Sequence, residues 1–413
     1  MNLNVKPVSR AERIVLLDAL RGLAIFGILM VNLPLMYKPI TSMLFGSNMD
    51  GSLINMLSES FIKFFFEGKF YVLFSMLFGY GFWLFINKKT EEGKSIVPVF
   101  RRRVFFLFLF GALHVILLWA GDILVFYALF GFILLLFRRV SDRGLIKWAI
   151  WIAIIPSALA ILGTLMVKLA SLSPVAAAEM NEGFAESINY MKGFAEKTNN
   201  VYSTGSFSEI VTMRLTEYRV LLPGVLFFYP VVLAMFLVGV WSARKGLISN
   251  YRQHLPLFKK IFWWGLGIGI VANAIYAISY QYATPLVPGT WEAVNSVTHT
   301  AGGISFGFFY ASAMVLMYAK GKTYFVNLLA PVGRMALTNY LMHSIIAVVL
   351  FHPYGFGLFG KIEAWQGVLL AFGIFSLQIP FSIIWLRTFR FGPFEWLWRS
   401  LTYMKVQPFI RKE

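Results

Sequence analysis

Residues 14–36 read IVLLDALRGLAIFGILMVNLPLM, and this stretch decides what kind of protein the chain forms. A helix needs roughly 20 apolar residues to cross the hydrocarbon core of a bilayer, which is about 30 Å thick. The stretch is long enough, and no small-residue cleavage site follows it. We therefore interpret it as a retained membrane span and not as a signal peptide.

The composition of the whole chain agrees with a membrane protein. Of the 413 residues, 58% are hydrophobic and 14% are charged, whereas an ordinary globular domain has about 45–50% apolar and about 25% charged residues. This excludes a soluble domain and a disordered chain. The chain has no cysteine, which excludes disulfides, Cys-ligated zinc, iron–sulfur clusters and thiol nucleophiles.

The apolar runs predict an all-α fold, a polytopic membrane helix bundle that forms a single membrane domain over residues 1–413. About ten runs are long enough to be transmembrane helices. Gly121 and its neighbours alone separate the third run from the fourth, so these two should form a tight helical hairpin. The ten predicted spans lie near residues 14–36, 68–86, 104–120, 122–137, 146–168, 222–242, 258–280, 297–319, 332–351 and 366–387.

The basic residues predict that both chain ends lie in the cytoplasm (N-in, C-in). With the N-terminus inside, 27 of the 37 Lys and Arg fall in inside segments, nine fall outside, and Arg21 lies within a span. Cytoplasmic loops of membrane proteins carry such an excess of basic residues. We therefore attribute the net charge of +18 to contact with anionic membrane lipids, and we expect no nucleic-acid partner.

Two segments outside the spans are long enough to have a role at the outer face. Residues 38–66 carry apolar side chains at helical spacing, which predicts a helix lying in the membrane interface. Residues 169–221 connect the fifth and sixth spans and hold six Glu against four basic residues. We predict that this second segment is a helical flap over the outer mouth of the bundle.

The first span carries polar side chains that hydrocarbon tolerates poorly. Asp18 and Arg21 are three residues apart on a helix and can pair. Asn32 lies eleven residues after Arg21, at nearly the same azimuth and about 16 Å further along the axis. We predict that these three residues form one polar stripe that binds substrate. The alternative is an ion pair that only anchors the helix in the bundle.

Two further polar pairs are candidates for substrate binding. Glu67 and Lys69 flank a glycine at the outer end of the second span, where they either anchor the helix or line the mouth of a cavity. Asn339 and His343 are four residues apart and share one helix face. That pair either binds substrate or holds two helices together.

Three residues are candidates for catalysis: His114 in the third span, Asp122 in the hairpin that follows it, and His299 at the outer end of the eighth span. An imidazole can exchange a proton near neutral pH, and a carboxylate can orient it. The alternative is that each His is a hydrogen-bonded structural residue. The five His form no HxxxH or HxH pair, so we expect no metal site.

Several motifs resemble the YeiB-like bacterial membrane proteins, the family of the domain of unknown function 418. The first of them also resembles the first helix shared by several families of membrane acyltransferases. The motifs follow one another in the family's order along nearly the whole chain. They are LDALRGLAI at 17–25, EGKF at 67–70, FSMLFG at 74–79, His114, GDIL at 121–124 with Tyr127, GRMALTNY at 333–340 and GPFEWLWR at 392–399.

The distant similarity to the membrane acyltransferase-3 and heparan-alpha-glucosaminide N-acetyltransferase families implies acyl transfer. Those families move acyl groups from a cytoplasmic donor to an acceptor across or at the outer face. The acyltransferase-3 pattern places an Arg and a His eleven positions apart in the first helix. Arg21 matches the Arg, but Asn32 stands at the His position, and an amide cannot act as a general base. His114, His299 and Asp122 are the residues from which a base could come instead.

Our first hypothesis is therefore an acyltransferase of the bacterial cytoplasmic membrane with a cell-envelope or other amphiphilic acceptor. The resemblance implies acyl-coenzyme A or another acyl donor, held by Arg21 with Asp18 orienting it, while His114 or His299 acts as base. The alternative is a transporter or lipid-binding membrane protein that keeps the fold without catalysis. A purely structural or regulatory membrane protein is a third hypothesis. The sequence does not distinguish possible oligomeric states.

Overall fold

The computed structural model describes residues 14–45, 52–88, 95–284 and 286–411, and this part of the chain is almost entirely helical. It holds no β-structure apart from an isolated bridge between Phe389 and Ile410, which confirms the all-α class. Three 3₁₀ helices occupy Ile40–Phe45, Leu135–Arg139 and Tyr251–His254. The α-helices are α1 (Val15–Asn32), α2 (Leu53–Phe65), α3 (Phe70–Ile86), α4 (Val97–Leu117), α5 (Leu124–Leu134), α6 (Asp142–Ala170), α7 (Pro174–Thr204), α8 (Phe207–Phe228), α9 (Pro230–Arg244), α10 (Leu255–Ser279), α11 (Thr290–Ala319), α12 (Tyr324–Arg334), α13 (Ala336–Phe351), α14 (Ala364–Thr388) and α15 (Pro393–Tyr403).

The described residues contain six helical segments that are long and apolar enough to cross a membrane, or up to eight if each of two bent helix pairs is one span. These helices support the prediction of a membrane protein. The count of ten and the N-in, C-in orientation stay predictions. The basic positions before residue 14, at 89–94 and at 412 lie outside the described residues. The six segments are Val15–Asn32, Leu53–Ile86, Asp142–Ala170, Tyr251–Ser279, Thr290–Ala319 and Ala364–Thr388.

The predicted helical hairpin is present. α4 ends at Leu117, α5 begins at Leu124, and the two helices pack against each other. A Cβ at Gly111 of α4 would lie 2.6 Å from the backbone nitrogen of Val125 in α5. The two helices therefore approach to backbone contact, which holds the connecting residues in one arrangement.

Two predicted spans are not continuous helices, which corrects the sequence interpretation. The span at 222–242 is interrupted at Tyr229, where α8 and α9 meet with a bend of 53°, and the span at 332–351 is interrupted at Met335, where α12 and α13 meet at 75°. Pro230 begins α9. Because proline has no N–H, it cannot continue the hydrogen-bond ladder of α8.

The break between α12 and α13 frees backbone groups that other side chains satisfy. The carboxylate of Glu395 in α15 accepts hydrogen bonds from the backbone N–H groups of Leu337 at 2.6 Å and Thr338 at 3.0 Å. The amide of Asn339 donates to the backbone oxygen of Val332 at 3.1 Å. A broken helix persists inside a membrane protein when its neighbours replace the lost bonds. α15 thus fixes the start of α13.

Glycines bring other helix pairs together. A Cβ at Gly333 of α12 would meet the backbone oxygen of Asp18 in α1, and a Cβ at Gly239 of α9 would meet the backbone oxygen of Met76 in α3. Small residues permit this close approach in membrane bundles. α1 is accordingly the most deeply buried of the six membrane-length segments.

The two segments predicted to lie outside the spans are helical and touch each other. Residues 38–66 hold the 3₁₀ helix Ile40–Phe45 and α2, and residues 169–221 hold the end of α6, all of α7 and most of α8. The backbone N–H of Thr41 donates to Glu217 of α8 at 3.3 Å, and both residues are buried. The 3₁₀ helix Ile40–Phe45 and α8 therefore pack against each other.

Candidate active site

The α4–α5 hairpin places an imidazole against a carboxylate. His114 lies in the last turn of α4, and its Nδ1 is 2.8 Å from Oδ2 of Asp122, with both side chains fully buried. The other carboxylate oxygen of Asp122 accepts from the backbone N–H of Val125 at 2.7 Å. Asp122 thereby accepts from a backbone N–H in the first turn of α5 and contacts the ring of His114 at the same time.

Ser344 of α13 completes this arrangement. Its Oγ is 2.8 Å from Nε2 of His114, and the serine is fully buried. In the tautomer with its proton on Nδ1, the ring donates to the Asp122 carboxylate, and Nε2 accepts from the serine hydroxyl. Asp122, His114 and Ser344 therefore form a hydrogen-bonded relay in which a carboxylate orients a base and the base contacts a hydroxyl.

A cavity lies beside the relay, between the end of α1, the end of α4, α7, α8 and α13. The space among its lining atoms is about 330 Å³, counting the part open to solvent. The enclosed part of this space is much smaller and has room for about one water molecule. Its walls combine apolar side chains with Ser344 and a few charged or polar groups. The lining residues are Leu35, Met36, Leu118, Trp119, Tyr202, Arg214, Glu217, Ser344, Ala347, Val348, His352 and Phe359.

Two buried charged residues of α8 face this cavity. Arg214 donates from Nη1 to the backbone oxygen of Ile116 at 2.8 Å, and its Nη2 is 3.4 Å from Nε2 of His352. Glu217 accepts from the hydroxyl of Tyr202 at 2.9 Å. Burial and the neighbouring Arg214 charge lower the pKa of His352 to about 4, against a smaller opposite effect of its contact with the backbone of Tyr202. His352 is therefore neutral at physiological pH.

The third predicted catalytic residue, His299, lies in a different cluster. A Cβ at Gly68 would lie 3.0 Å from Nε2 of His299, and the His299 ring packs against Tyr276, 5.1 Å between centroids. The hydroxyl of Tyr276 donates to Glu67 at 2.7 Å. The structure thus brings His114 and Asp122 together and places His299 beside the Glu67-Gly68-Lys69 motif.

Two lysines complete this second cluster. Lys63 pairs with Glu67 at 3.2 Å, and its ammonium lies 3.2 Å from the ring centroid of Tyr280. Lys69 is fully buried and donates from Nζ to the backbone oxygen of Lys63 at 2.6 Å. Gly68 adopts a φ of 85°, a conformation that favours glycine and that turns the chain between α2 and α3.

The predicted ion pair of the first helix is present. Nη1 of Arg21 is 3.0 Å from Oδ1 of Asp18, and the Asp18 carboxylate is buried while the Arg21 side chain is 29% exposed. The guanidinium of Arg21 faces Gly81 of α3. Asn32 is the last residue of α1 and is partly buried. A role of this stripe in substrate binding stays a prediction.

Asn339 and His343 join α13 to α14. Asn339 donates to Oγ of Ser382 at 3.1 Å, and Nε2 of His343 lies 2.9 Å from Oε1 of Gln378. The amide nitrogen of Gln378 in turn donates to the backbone oxygen of Asn339 at 3.1 Å. These contacts favour the interpretation that the pair holds two helices together.

Sequence reasoning missed Ser344, Arg214 and His352. Ser344 directly follows His343 but has no spacing that marks it, because its partner His114 is 230 positions away. In the sequence, Arg214 is one of four basic residues of the outer segment, and no motif distinguishes it. Residues 303–307, GISFG, have the spacing of a serine-hydrolase elbow but lie within the continuous helix α11, whereas that elbow is a strand-to-helix turn.

Comparisons with known proteins identify the family. Residues 242–405 match a family described as protein of unknown function (DUF418). The chain is 36% identical to the uncharacterized protein YxaH of Bacillus subtilis (strain 168), over 99% of each chain. It is 28% identical to the uncharacterized protein YeiB of Escherichia coli (strain K12), over 97% of this chain and 99% of that protein.

A third relative is an uncharacterized 39.9 kDa protein encoded in the amylase 3′ region of Bacillus acidopullulyticus, which is 27% identical over 98% of this chain and 99% of that protein. No solved structure matches the chain. The resemblance to YeiB-like proteins that the motifs indicated is therefore confirmed. Since one relative is 36% identical over almost the full length of both chains, the protein belongs to the DUF418 family of YeiB-like proteins.

Proposed function

We propose that the protein is a membrane acyltransferase that uses Ser344 as its nucleophile. One observation carries this proposal: the His114 ring lies between the Asp122 carboxylate and the Ser344 hydroxyl, 2.8 Å from each, and Ser344 lines a cavity. A hydroxyl, a base bonded to it and a group that orients the base are the set that activates serine in enzymes. Such a set is recognised by geometry and not by chain order.

The relay would carry out acyl transfer in two steps, acylation of Ser344 and then transfer of the acyl group to the acceptor. Ser344 Oγ attacks the carbonyl carbon of an activated ester or thioester, its proton passes to Nε2 of His114, and the departing alcohol or thiol takes that proton as its bond to carbon breaks. The acceptor hydroxyl then gives its proton to His114 and attacks the Ser344 ester, after which the proton returns to Ser344 Oγ. Asp122 stabilises the imidazolium that forms in both steps.

Burial favours transfer over hydrolysis. The side chains of His114 and Asp122 are fully buried, and so is Ser344. A site that excludes water limits the competing attack of water on the acyl-serine. An amphiphilic or cell-envelope acceptor that enters the cavity would therefore meet the ester first. The donor would be acyl-coenzyme A or another activated acyl ester.

The resemblance to membrane acyltransferase families supports the same proposal. Their first helix carries a His where this chain has Asn32, and His114 would supply the base instead. Asn32 ends α1 and lies three residues before Leu35, which lines the cavity. A base at His114 therefore serves a cavity that the end of the first helix also borders.

We also propose ten spans with both chain ends in the cytoplasm of a bacterium, so that the cavity opens toward the outer face. Because the chain has no cysteine, single cysteines report the orientation directly. Glu186→Cys, exposed on α7, should react with a membrane-impermeant maleimide on intact cells. Lys322→Cys, exposed between α11 and α12, should react only after permeabilisation. The reverse pattern would overturn this orientation.

The relay is tested without knowledge of the substrate by a biotinylated fluorophosphonate. This reagent phosphonylates an activated serine with loss of fluoride, so the purified full-length protein should be labelled at Ser344. Ser344→Ala and His114→Gln should abolish the labelling, and Asp122→Asn should reduce it by about tenfold or more. The matched control is Ser312→Ala, which removes another fully buried serine, in α11, that donates to a backbone oxygen of its own helix.

The same variants are tested for complementation of a bacterial strain from which the gene has been deleted. Wild-type protein and Ser312→Ala should restore the lipid and envelope-glycan profile of that strain, and Ser344→Ala and His114→Gln should not, at equal membrane protein level. Labelling of wild-type protein at a site other than Ser344, together with full complementation by Ser344→Ala, would refute the acyltransferase proposal.

A transporter or lipid-binding protein is the second candidate, and the cluster around Glu67 favours it. Ionisable groups in membrane segments mark ion and proton pathways as well as catalytic sites. Glu67, Lys63 and Lys69 lie together in one such segment, with His299 of α11 beside them. If this function holds, Glu67→Gln and Lys69→Met should abolish complementation while Ser344→Ala leaves it intact.

A further inference from the structure

The guanidinium of Arg214 is the most deeply buried arginine group of the described chain and lines the cavity beside Ser344. Arg214 is 1% exposed and is the largest of the fully buried side chains. Its partners are the backbone oxygen of Ile116, Nε2 of His352 and the hydroxyl of Tyr354. All three are neutral acceptors, since His352 carries no charge at physiological pH.

No carboxylate pairs with Arg214 in the part of the chain that the structure describes. Glu217, one turn further along α8, is near enough to attract the guanidinium. Both oxygens of Glu217 are already occupied, one by the backbone N–H of Thr41 and the other by the hydroxyl of Tyr202. Arg214 therefore keeps N–H donors and an unpaired positive charge at the wall of the cavity, and burying an unpaired charge is costly.

We propose that Arg214 binds an oxyanion group, a phosphate or a carboxylate, of the substrate whose acyl transfer at Ser344 is proposed above. The planar guanidinium presents paired donors that match the two oxygens of such a group. The enclosed part of the cavity has room for about one water molecule, so a head group bound to Arg214 would extend into the side that is open to solvent. The substrate class is an anionic amphiphile whose charged group lies on Arg214.

The apolar part of the lining supports this substrate class. Leu35, Met36, Val348 and Phe359 form the walls next to the charged group. Ligand pockets in proteins combine such apolar walls with a few placed polar groups that fix the orientation. An oxyanion on Arg214 would fix one end of the substrate, and the apolar walls would receive the adjoining hydrocarbon.

A structural role for Arg214 explains only part of its geometry. Ile116 lies in the last turn of α4, where backbone oxygens lack partners within the helix. One N–H of Arg214 satisfies this oxygen and ties α8 to α4. The other N–H groups of Arg214 are not needed to tie α8 to α4, so this role does not explain why they lie at the cavity wall. The experiment must therefore measure the response to a ligand and not only the stability of the protein without ligand.

The test is anion-dependent thermal stabilisation of the full-length protein in neutral detergent at constant ionic strength. Ser344→Ala is used as background so that no turnover occurs. The probes are inorganic phosphate, acetate and short-chain phosphatidylglycerol, each compared with chloride. We expect stabilisation by at least one probe, and a dissociation constant weakened about tenfold or more by Arg214→Gln. Arg214→Lys should keep part of the affinity because it keeps the charge.

The matched control is Arg219→Gln, which removes an exposed charge from the same helix and should leave the affinity unchanged. Stabilisation by phosphate alone supports a free phosphate group, stabilisation by phosphatidylglycerol alone supports a lipid head group, and stabilisation by acetate supports a carboxylate. Equal affinity in Arg214→Gln, or no stabilisation by any of the three probes, overturns the inference.

If Arg214→Gln does not fold, the affinity of Arg214→Lys for the anion probe tests the proposal instead. Lys offers a single charged nitrogen in place of the planar fork, so affinity equal to that of Arg214 overturns the proposed paired contact. Fluorophosphonate labelling of Ser344 is measured in parallel in protein with Ser344 intact. Labelling with no anion binding refutes the oxyanion site alone, and anion binding without labelling refutes the acyl-serine mechanism alone.

Discussion

The His352→Asn variant should lose less stability than the wild-type protein as the pH falls. The titration of His352 accounts for a defined part of that loss. His352 lies just beyond the end of α13, and burial together with the Arg214 charge lowers its pKa from the usual 6.5 to about 4. In the unfolded chain the imidazole titrates near 6.5. Between these two pH values the unfolded state binds a proton that the folded state does not bind. The free energy of unfolding therefore falls as the pH falls through this window.

The magnitude follows from the two pKa values. Well inside the window, each pH unit lowers the free energy of unfolding by about 1.4 kcal/mol. Because titration near 6.5 is gradual, the contribution of His352 between pH 8 and pH 5 amounts to about 2 kcal/mol. Asn offers Arg214 an amide oxygen as acceptor but does not titrate. Between pH 8 and pH 5, the free energy of unfolding of His352→Asn should thus fall by about 2 kcal/mol less than that of the wild-type protein.

The assay is thermal unfolding of the purified full-length protein in detergent, followed by tryptophan fluorescence at pH 8, 7, 6 and 5. The midpoint of His352→Asn relative to wild type should rise steadily as the pH falls. Arg214→Lys should keep a pH dependence close to that of the wild type, because it retains the positive charge beside the ring. If the unfolding midpoints of the wild-type protein and His352→Asn change by the same amount with pH, the argument that the buried ring stays neutral is refuted.

Three further predictions concern packing and buried charge, each measured as the thermal unfolding midpoint of the full-length protein in detergent. Gly239→Ala should destabilise by roughly 1–3 kcal/mol, because its Cβ would meet the backbone of α3, whereas Gly267→Ala, which meets nothing within 4 Å, should be neutral or slightly stabilising. A loss at Gly267 equal to that at Gly239 would contradict this. Asp18→Asn and Arg21→Gln should each cost about 2 kcal/mol, and the double variant should recover part of the sum; strictly additive losses would mean that the two do not interact. Glu395→Ala should cost about 2–3 kcal/mol, because it leaves two backbone N–H groups at the start of α13 without an acceptor, while Glu395→Gln keeps an acceptor and should cost less.

Contacts between residues close in the chain were predictable. The Asp18–Arg21 pair follows from a spacing of three on a helix, and the structure shows it at 3.0 Å. His114 and Asp122 flank a short turn between two apolar runs, so a hairpin was expected to bring them near each other, and they are 2.8 Å apart. In both cases local backbone geometry alone limits where the side chains can lie.

The breaks in two helices were not predictable from hydropathy. The runs at 222–242 and 332–351 each have the length and the overall apolar character of a span, so the pattern predicts continuous spans. The break at Met335 persists because Glu395, about sixty positions later, accepts the N–H groups of Leu337 and Thr338. An apolar pattern contains no information on which distant side chain will satisfy a freed backbone group.

The sequence alone determined the class of the protein: an apolar, cysteine-free chain with long hydrophobic runs forms an all-helical membrane protein, and its motifs placed it in the YeiB-like family. Only the tertiary structure decided that Ser344 of α13 meets His114 of α4, that Arg214 and His352 border the same cavity, and that His299 lies with Glu67 instead. The physical reason is that helical periodicity shows which face of a helix is polar, whereas the choice of neighbouring helix depends on close packing at positions such as Gly333 and Gly239. These contacts join residues more than a hundred positions apart, and no spacing within one helix encodes them.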